Sequence, residues 1–139
     1  HLDILPKFRQ KKAHILVGTQ MIVKGHDLPD VTLVGIVDAD MSLHFADFRA
    51  TERTYQLITQ VAGRAGRADK PGEVLLQTYS PRHYVYRYIV NGDYAGFYEK
   101  EINLREVTKY PPFSRIVRVL VSCENEQLAH DVLKIFLTG

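Results

Sequence analysis

Cysteine is almost missing: Cys123 is the only one in 139 residues. A single thiol forms no internal disulfide and cannot supply a thiolate zinc cluster within this chain. That usage fits a reducing compartment. Net charge is also small, at +2, so attraction to a polyanion would need a local basic patch. Long apolar runs are lacking too. The longest, such as "VTLVGIV" at 31–37, fall far below the ~18 residues that span a bilayer, and no signal-peptide pattern is visible at the start. What is present, 45% apolar and 24% charged residues, is the mixture of a globular protein. The length suits one domain or pieces of two. The chain opens at "HLDILPKF" without methionine and stops one residue after "KIFLT", which leads us to expect a segment of a longer protein.

Apolar blocks alternate with helical patterns. "AHILVG" (13–18), "VTLVGIVDAD" (31–40) and "GEVLLQTYS" (72–80) read as buried parallel strands. "TQMIVKGHDLPD" between the first two suits a tight crossover with a short helix. The opening "LPKFRQKK" is short and basic, helical or irregular. Helical periodicity runs from about Asp47 to Arg67, and "PRHYVYRYIV" (81–90) and "DYAGFYEKEINLREV" (93–107) read as two more helices. This alternation predicts an α/β fold with a parallel sheet. At "KYPPFSR" (109–115) consecutive prolines end a helix and impose an extended link. "RIVRVLVSC" then reads as a strand, with Cys123 buried in it, and "ENEQLAHDVLKIF" as a helix. The predicted division is therefore 1–108 and 109–139, the second part being the first strand and helix of another, truncated domain.

One stretch raises a chemical question. "TQVAGRAGR" (59–67) places two glycines in a helical pattern, each unfavourable there by about 1 kcal/mol relative to alanine. At about 100° per residue, Arg53, Gln56, Gln60, Arg64 and Arg67 fall on one stripe that contains no acid. Guanidinium groups match phosphate oxygens in paired hydrogen bonds and stay charged. Glycines at 63 and 66 would let a phosphate or a facing backbone come close. Spacing alone leaves two readings open, a phosphate-receiving stripe or a surface face whose arginines pair with acids elsewhere.

The eight residues "QVAGRAGR" resemble Q-x-x-G-R-x-G-R, motif VI of the superfamily 2 helicases. The resemblance implies a RecA-like lobe 2 whose arginines reach ATP held mainly by a second lobe. Arg67 would then be the finger, Arg64 a further γ-phosphate contact and Gln60 a polar partner. A second pattern precedes it: "GTQMIVKGHDLP" (18–29) resembles motif V through Thr19, Gly25, Asp27 and Pro29. Thr19 and Gln20 follow the end of an apolar run, where parallel sheets place ligands, and a hydroxyl with free backbone N–H groups suits a phosphate. By resemblance Thr19 and Gln20 face a DNA backbone, Lys24 adds a phosphate contact, and Gly25 and Asp27 couple that contact to the nucleotide. The alternative is an ordinary strand–turn–helix with a capping aspartate.

Other features carry less. Asp38 and Asp40 in "VDAD" could suggest a magnesium site, but in the family the magnesium-binding acids lie on the other lobe, so these two are expected to order the loop before the 47–67 helix. The histidines form no ligand cluster. The tyrosine-rich "YSPRHYVYRY" could stack on bases, although aromatics at helical spacing pack against a core more often.

Longer stretches, "ILVGTQMIVKGHDLPDVTLVGIVDAD", "DFRATERTYQLITQVAGRAGR", "KPGEVLLQTYSP" and "YPPFSR", are similar to the replication-restart branch of these helicases over about residues 4 to 137. That implies an intact parent that is an ATP-dependent 3′-to-5′ DNA helicase in the bacterial cytoplasm. It would use ATP with magnesium, act on forked, D-loop or single-stranded DNA, and work with other primosome proteins and single-stranded DNA-binding protein, not a membrane. The Gly-rich phosphate loop, a D-E-x-H segment and a cysteine-rich zinc-binding insertion are not in this chain. Half of an ATPase site is therefore expected here, inactive alone, with zinc in the parent only. Competing readings are another superfamily 2 motor and a non-catalytic DNA-binding or docking module.

Overall fold

A computed structural model describes residues 4–19, 28, 30–63, 65–66 and 72–138. In chain order the elements are α1 (Ile4–Arg9), β1 (Leu33–Ile36), α2 (Ala50–Ala62), β2 (Glu73–Leu76), α3 (Tyr84–Asn91), α4 (Tyr94–Val107) and α5 (Glu126–Thr138). β1 and β2 pair in parallel, Leu33 opposite Glu73 and Ile36 opposite Leu76. The ladder continues beyond both ends, with Glu73 N–H donating to the Thr32 carbonyl at 2.8 Å and Gln77 N–H to Ile36 at 2.9 Å. The unit β1–α2–β2 is thus the βαβ element that the alternating pattern predicted, and the fold is α/β.

Helix boundaries have local causes. Asp47 organises the entry to α2: its carboxylate accepts the Arg49 N–H at 2.9 Å and its carbonyl accepts the Ala50 N–H at 2.9 Å. α3 starts at His83, whose ring Nδ1 accepts the Val85 N–H at 3.4 Å. It stops at Gly92, in the left-handed region at φ 63°, a conformation glycine adopts without a Cβ penalty.

The core lies where α2 meets α3 and β1. Ala39, Tyr55, Ile58, Val85, Tyr86 and Phe97 are buried together, and Ile36, Leu76, Tyr84 and Tyr88 pack around them. Tyr55 and Phe97 stack at 4.3 Å with their planes 12° apart, and Tyr88 meets Phe97 edge-on at 6.2 Å. Most of the tyrosine-rich stretch is therefore core. The side-chain period of two shows on both strands: Val34, Ile36, Val74 and Leu76 are half-buried, while Leu33 and Leu75 are exposed.

Several expectations fail. The run at 13–18 forms no strand, and Ile15 and Val17 are 80% and 87% exposed. Composition marks a segment as suited to a sheet, but a strand exists only where a neighbour supplies ladder hydrogen bonds. Among the described residues none does so here. "RIVRVLVSC" likewise forms no strand, so Cys123 is exposed rather than buried. β1 and β2 are covered on one face, not two. α2 ends at Ala62, capped at Gly63, so the helix does not continue to Arg67.

The chain divides into two compact units, His1–Ile102 and Asn103–Gly139. The first contains the sheet and the core. The second contains the end of α4 and the whole of α5, with Leu128, Ile135 and Phe136 exposed.

Replacing Phe97 by alanine removes the ring on which Tyr55 stacks. Urea unfolding should show a loss of about 3–5 kcal/mol. Val107→Ala, at an exposed position on the same helix, should stay within about 0.5 kcal/mol of the native value.

Candidate functional site

The residues singled out by motif fall at three places. Thr19 closes the 13–19 stretch and is exposed. Gln60 lies on the outer face of α2, exposed in line with Gln56 and Arg53. Gly63, Ala65 and Gly66 follow the end of α2. Gln20, Lys24, Gly25, Asp27, Arg64 and Arg67 lie outside the described residues.

The stripe on α2 is not free of acids once folded. Arg53 Nη1 pairs with Asp47 Oδ2 at 2.9 Å, and Gln56 Nε2 donates to Glu52 Oε1 at 3.1 Å. Asp47 stands just ahead of α2, and Glu52 lies one helical turn before Gln56 on the same helix. The amino-terminal half of the stripe is therefore an ordinary solvated face, and water screens the ion pair on it. Gln60 has no such acid partner among the described residues.

The two glycines of "GRAGR" separate into different roles. Gly63 has a right-handed φ of −65°, and among the described residues a Cβ there would meet the Thr59 and Gln60 carbonyl oxygens, at 3.4 and 3.8 Å. Its glycine is not required by backbone shape. Gly66 has φ 67°, where an L side chain is strained. Its N–H donates to the Val31 carbonyl at 3.1 Å, two residues before β1. On the other side stands Gly72, where an added Cβ would collide with the Gly66 backbone nitrogen. The facing backbone foreseen as one use of these glycines is thus Gly72, just ahead of β2. This contact ties the segment after α2 to the entry of both strands.

At the opposite ends of the strands, Asp40 is the most consequential side chain that sequence reasoning misjudged. It is 1% exposed. Its carboxylate accepts the Tyr86 hydroxyl at 2.7 Å and the Tyr79 N–H at 2.6 Å. Thr78 Oγ1 lies 2.8 and 2.9 Å from its two oxygens. Burial pushes this carboxyl up, yet hydrogen bonds from Tyr86, Tyr79, Thr78 and Ser80 outweigh it and hold the group below its ordinary 3.8. Burial and the bond to Asp40 push the Tyr86 hydroxyl up to about 12. The Asp40 side chain thus joins the exits of β1 and β2 to α3, while its carbonyl accepts the Leu43 N–H at 2.8 Å and that of Asp38 the Met41 N–H at 3.2 Å in the loop before α2, where Asp47 acts as well. A sequence signal existed: an aspartate directly after one apolar strand and Thr-Tyr-Ser directly after the next. His83, beside this network, is pushed down by burial despite the nearby Asp40 and Glu101, which keeps its Nδ1 available as an acceptor for the α3 cap.

Comparison with known proteins fits this arrangement. Residues 1–69 match the model of the helicase conserved C-terminal domain. The chain is 48% identical over 138 residues to the replication restart protein PriA of Bacillus subtilis, covering 94% of this chain and 17% of that protein. The PriA of Synechocystis is 46% identical over 127 residues (91% and 15%), and that of Chlamydia pneumoniae 43% over 141 residues (96% and 19%). The chain belongs to the PriA family. It spans less than a fifth of the length of these three PriA relatives. The region that matches the helicase domain contains β1 and α2, and β2 follows just after it. No helix among the described residues is long and apolar enough to cross a membrane.

The glycine assignments can be checked by unfolding. Gly66→Ala should lower stability by about 1–2 kcal/mol through the left-handed backbone alone, and Gly72→Ala should be at least as damaging. Gly63→Ala should be neutral or stabilise by about 0.4–1 kcal/mol.

Asp40→Asn turns an amide donor toward donors already present and should destabilise by about 1–3 kcal/mol at neutral pH. Because the folded pKa lies below the unfolded one, the native contribution is complete above pH 3.8 and is lost as pH falls through the folded value. The gap between native and variant stability, measured by denaturant titration at stepped pH, should therefore close only in that acid range.

Proposed function

We propose that this chain supplies part of the second motor lobe of an ATP-dependent 3′-to-5′ DNA helicase that restarts replication at stalled forks and D-loops. The observation that carries this is the Gly66 contact. A glycine of the G-R-x-G-R sequence is pinned in a left-handed conformation against Val31 and Gly72. Gly66 stands between Arg64 and Arg67 in the sequence, and stabilisation of a transferring phosphoryl group requires donors carried on a fixed frame.

In this function Arg67 is the arginine finger, Arg64 a second γ-phosphate contact and Gln60 a polar partner of the nucleotide. Thr19, Gln20 and Lys24 contact the DNA backbone, and Gly25 and Asp27 couple that contact to the nucleotide. ATP with magnesium is held mainly by the other lobe, whose phosphate loop and acids are not in this chain. Zinc belongs to a cysteine-rich insertion elsewhere in the parent. The division into a lobe at 1–108 and the start of a C-terminal domain at 109–139 belongs to the same proposal. Other primosome proteins and single-stranded DNA-binding protein are the parent's partners in the bacterial cytoplasm.

Arg67→Ala in the intact parent should reduce DNA-stimulated ATP hydrolysis by about 10³-fold while forked-DNA affinity stays near native. Normal hydrolysis by that variant would move the finger to Arg64. The isolated chain should hydrolyse no ATP. DNA binding by the parent that falls steeply with salt and is indifferent to ATP, with no hydrolysis at all, would favour a non-catalytic binding module instead.

A further inference from the structure

Four tyrosines stand between residues 79 and 88, and they divide sharply. Tyr86 is buried, Tyr84 and Tyr88 pack against the core, but Tyr79 is 82% exposed. Its ring stands in solvent while its backbone is held fast. The Tyr79 N–H is bonded to the buried Asp40 carboxylate. The next residue's N–H donates to Thr78 Oγ1 at 2.9 Å, and the His83 N–H donates to the Ser80 carbonyl at 2.9 Å. An exposed aromatic on so constrained a turn loses little freedom when something stacks on it.

The surroundings indicate what that is. Tyr79, Ser80, Pro81, Arg82 and His83 line an open hollow of about 550 Å³. Arg82 is exposed, and no carboxylate pairs with it among the described residues. The sequence from 74 to 92 contains Arg82 and Arg87 and no acid. The turn follows the carboxyl end of β2, where parallel sheets of α/β proteins receive ligands. A flat apolar ring beside an uncompensated guanidinium is the minimal pair for one nucleotide of a single strand, the base on the ring and the phosphate on the cation.

Building on the DNA-motor role proposed above, we infer that the Tyr79–Arg82 turn is a single-stranded DNA contact separate from the motif residues. Tyr79 stacks on one base without reading its identity, and Arg82 neutralises the adjoining phosphate. Tyr84, Tyr86 and Tyr88 take no part.

The test uses the intact parent and a fluorescein-labelled oligothymidylate, with affinity read by anisotropy across a salt series. Tyr79→Ala should weaken binding about tenfold or more, and Tyr79→Phe, which keeps the ring, should bind close to native. Arg82→Gln should reduce the log–log salt slope by about one. Iodouridine placed in the oligonucleotide should cross-link to Tyr79 in the native protein. Native affinity in Tyr79→Ala, or failure of Tyr79→Phe to rescue, overturns the site and leaves the turn to a protein partner. Weakened binding of a non-hydrolysable ATP analogue with unchanged DNA affinity overturns it in favour of a free nucleotide. If the native parent neither binds the oligonucleotide nor hydrolyses ATP, the motor role falls and the site with it. DNA-stimulated hydrolysis in the native parent with an indifferent Tyr79→Ala sinks this site alone.

Discussion

The buried Asp40 carboxylate is the interaction on which the rest of the first unit depends. Two four-residue strands make a small sheet, and a two-stranded sheet is marginal unless something packs or ties it. Asp40 ties it at one end. It gathers a hydroxyl from the turn after β2, a backbone N–H from the same turn and a phenol from α3. Each donor is directed at an ionised oxygen, and such bonds are about twice as strong as neutral ones. An anion so deep is tolerable only because its lone pairs are used. No buried side-chain nitrogen or oxygen among the described residues lacks a partner.

At the other end of the strands the fastening is made of backbone alone. Gly66 bonds to Val31 and abuts Gly72, so the segment leaving α2 is fixed by shape rather than charge. One end of the βαβ unit thus uses a charged hub and the other a pair of glycines in contact. The aromatic stack of Tyr55 on Phe97 fills the space alongside, where α2 and α3 meet.

Local patterns were readable because local physics makes them. The periodicity of 84–91 and 94–107, the apolar composition of 33–36 and 73–76 and the stop at Gly92 follow from residues a few positions apart. What needed partners far along the chain was not readable. Asp40 meets Thr78 and Tyr86 across 38 and 46 residues, and no window of sequence holds both. The predicted helix took in Asp47, which instead stands ahead of α2 and reaches Arg53 from there. The apolar runs at 13–18 and 115–123 have strand composition without a ladder neighbour among the described residues. Of the motif residues, Thr19, Gln60 and Gly63 are exposed and Gly66 is left-handed; the functional sense of the pattern came from resemblance, since spacing alone allowed a plain surface helix.

The abutting glycines also have a consequence for chain length. Residues 66 and 72 touch, so the five positions between them start and finish at one point. Closing such a segment grows dearer only slowly with length, by about 0.6 kcal/mol for each doubling. Its length is thereby uncoupled from the register of β1 with β2. A change in the number of residues between Gly66 and Gly72 would thus leave Leu33 opposite Glu73, because the two ends are held against each other.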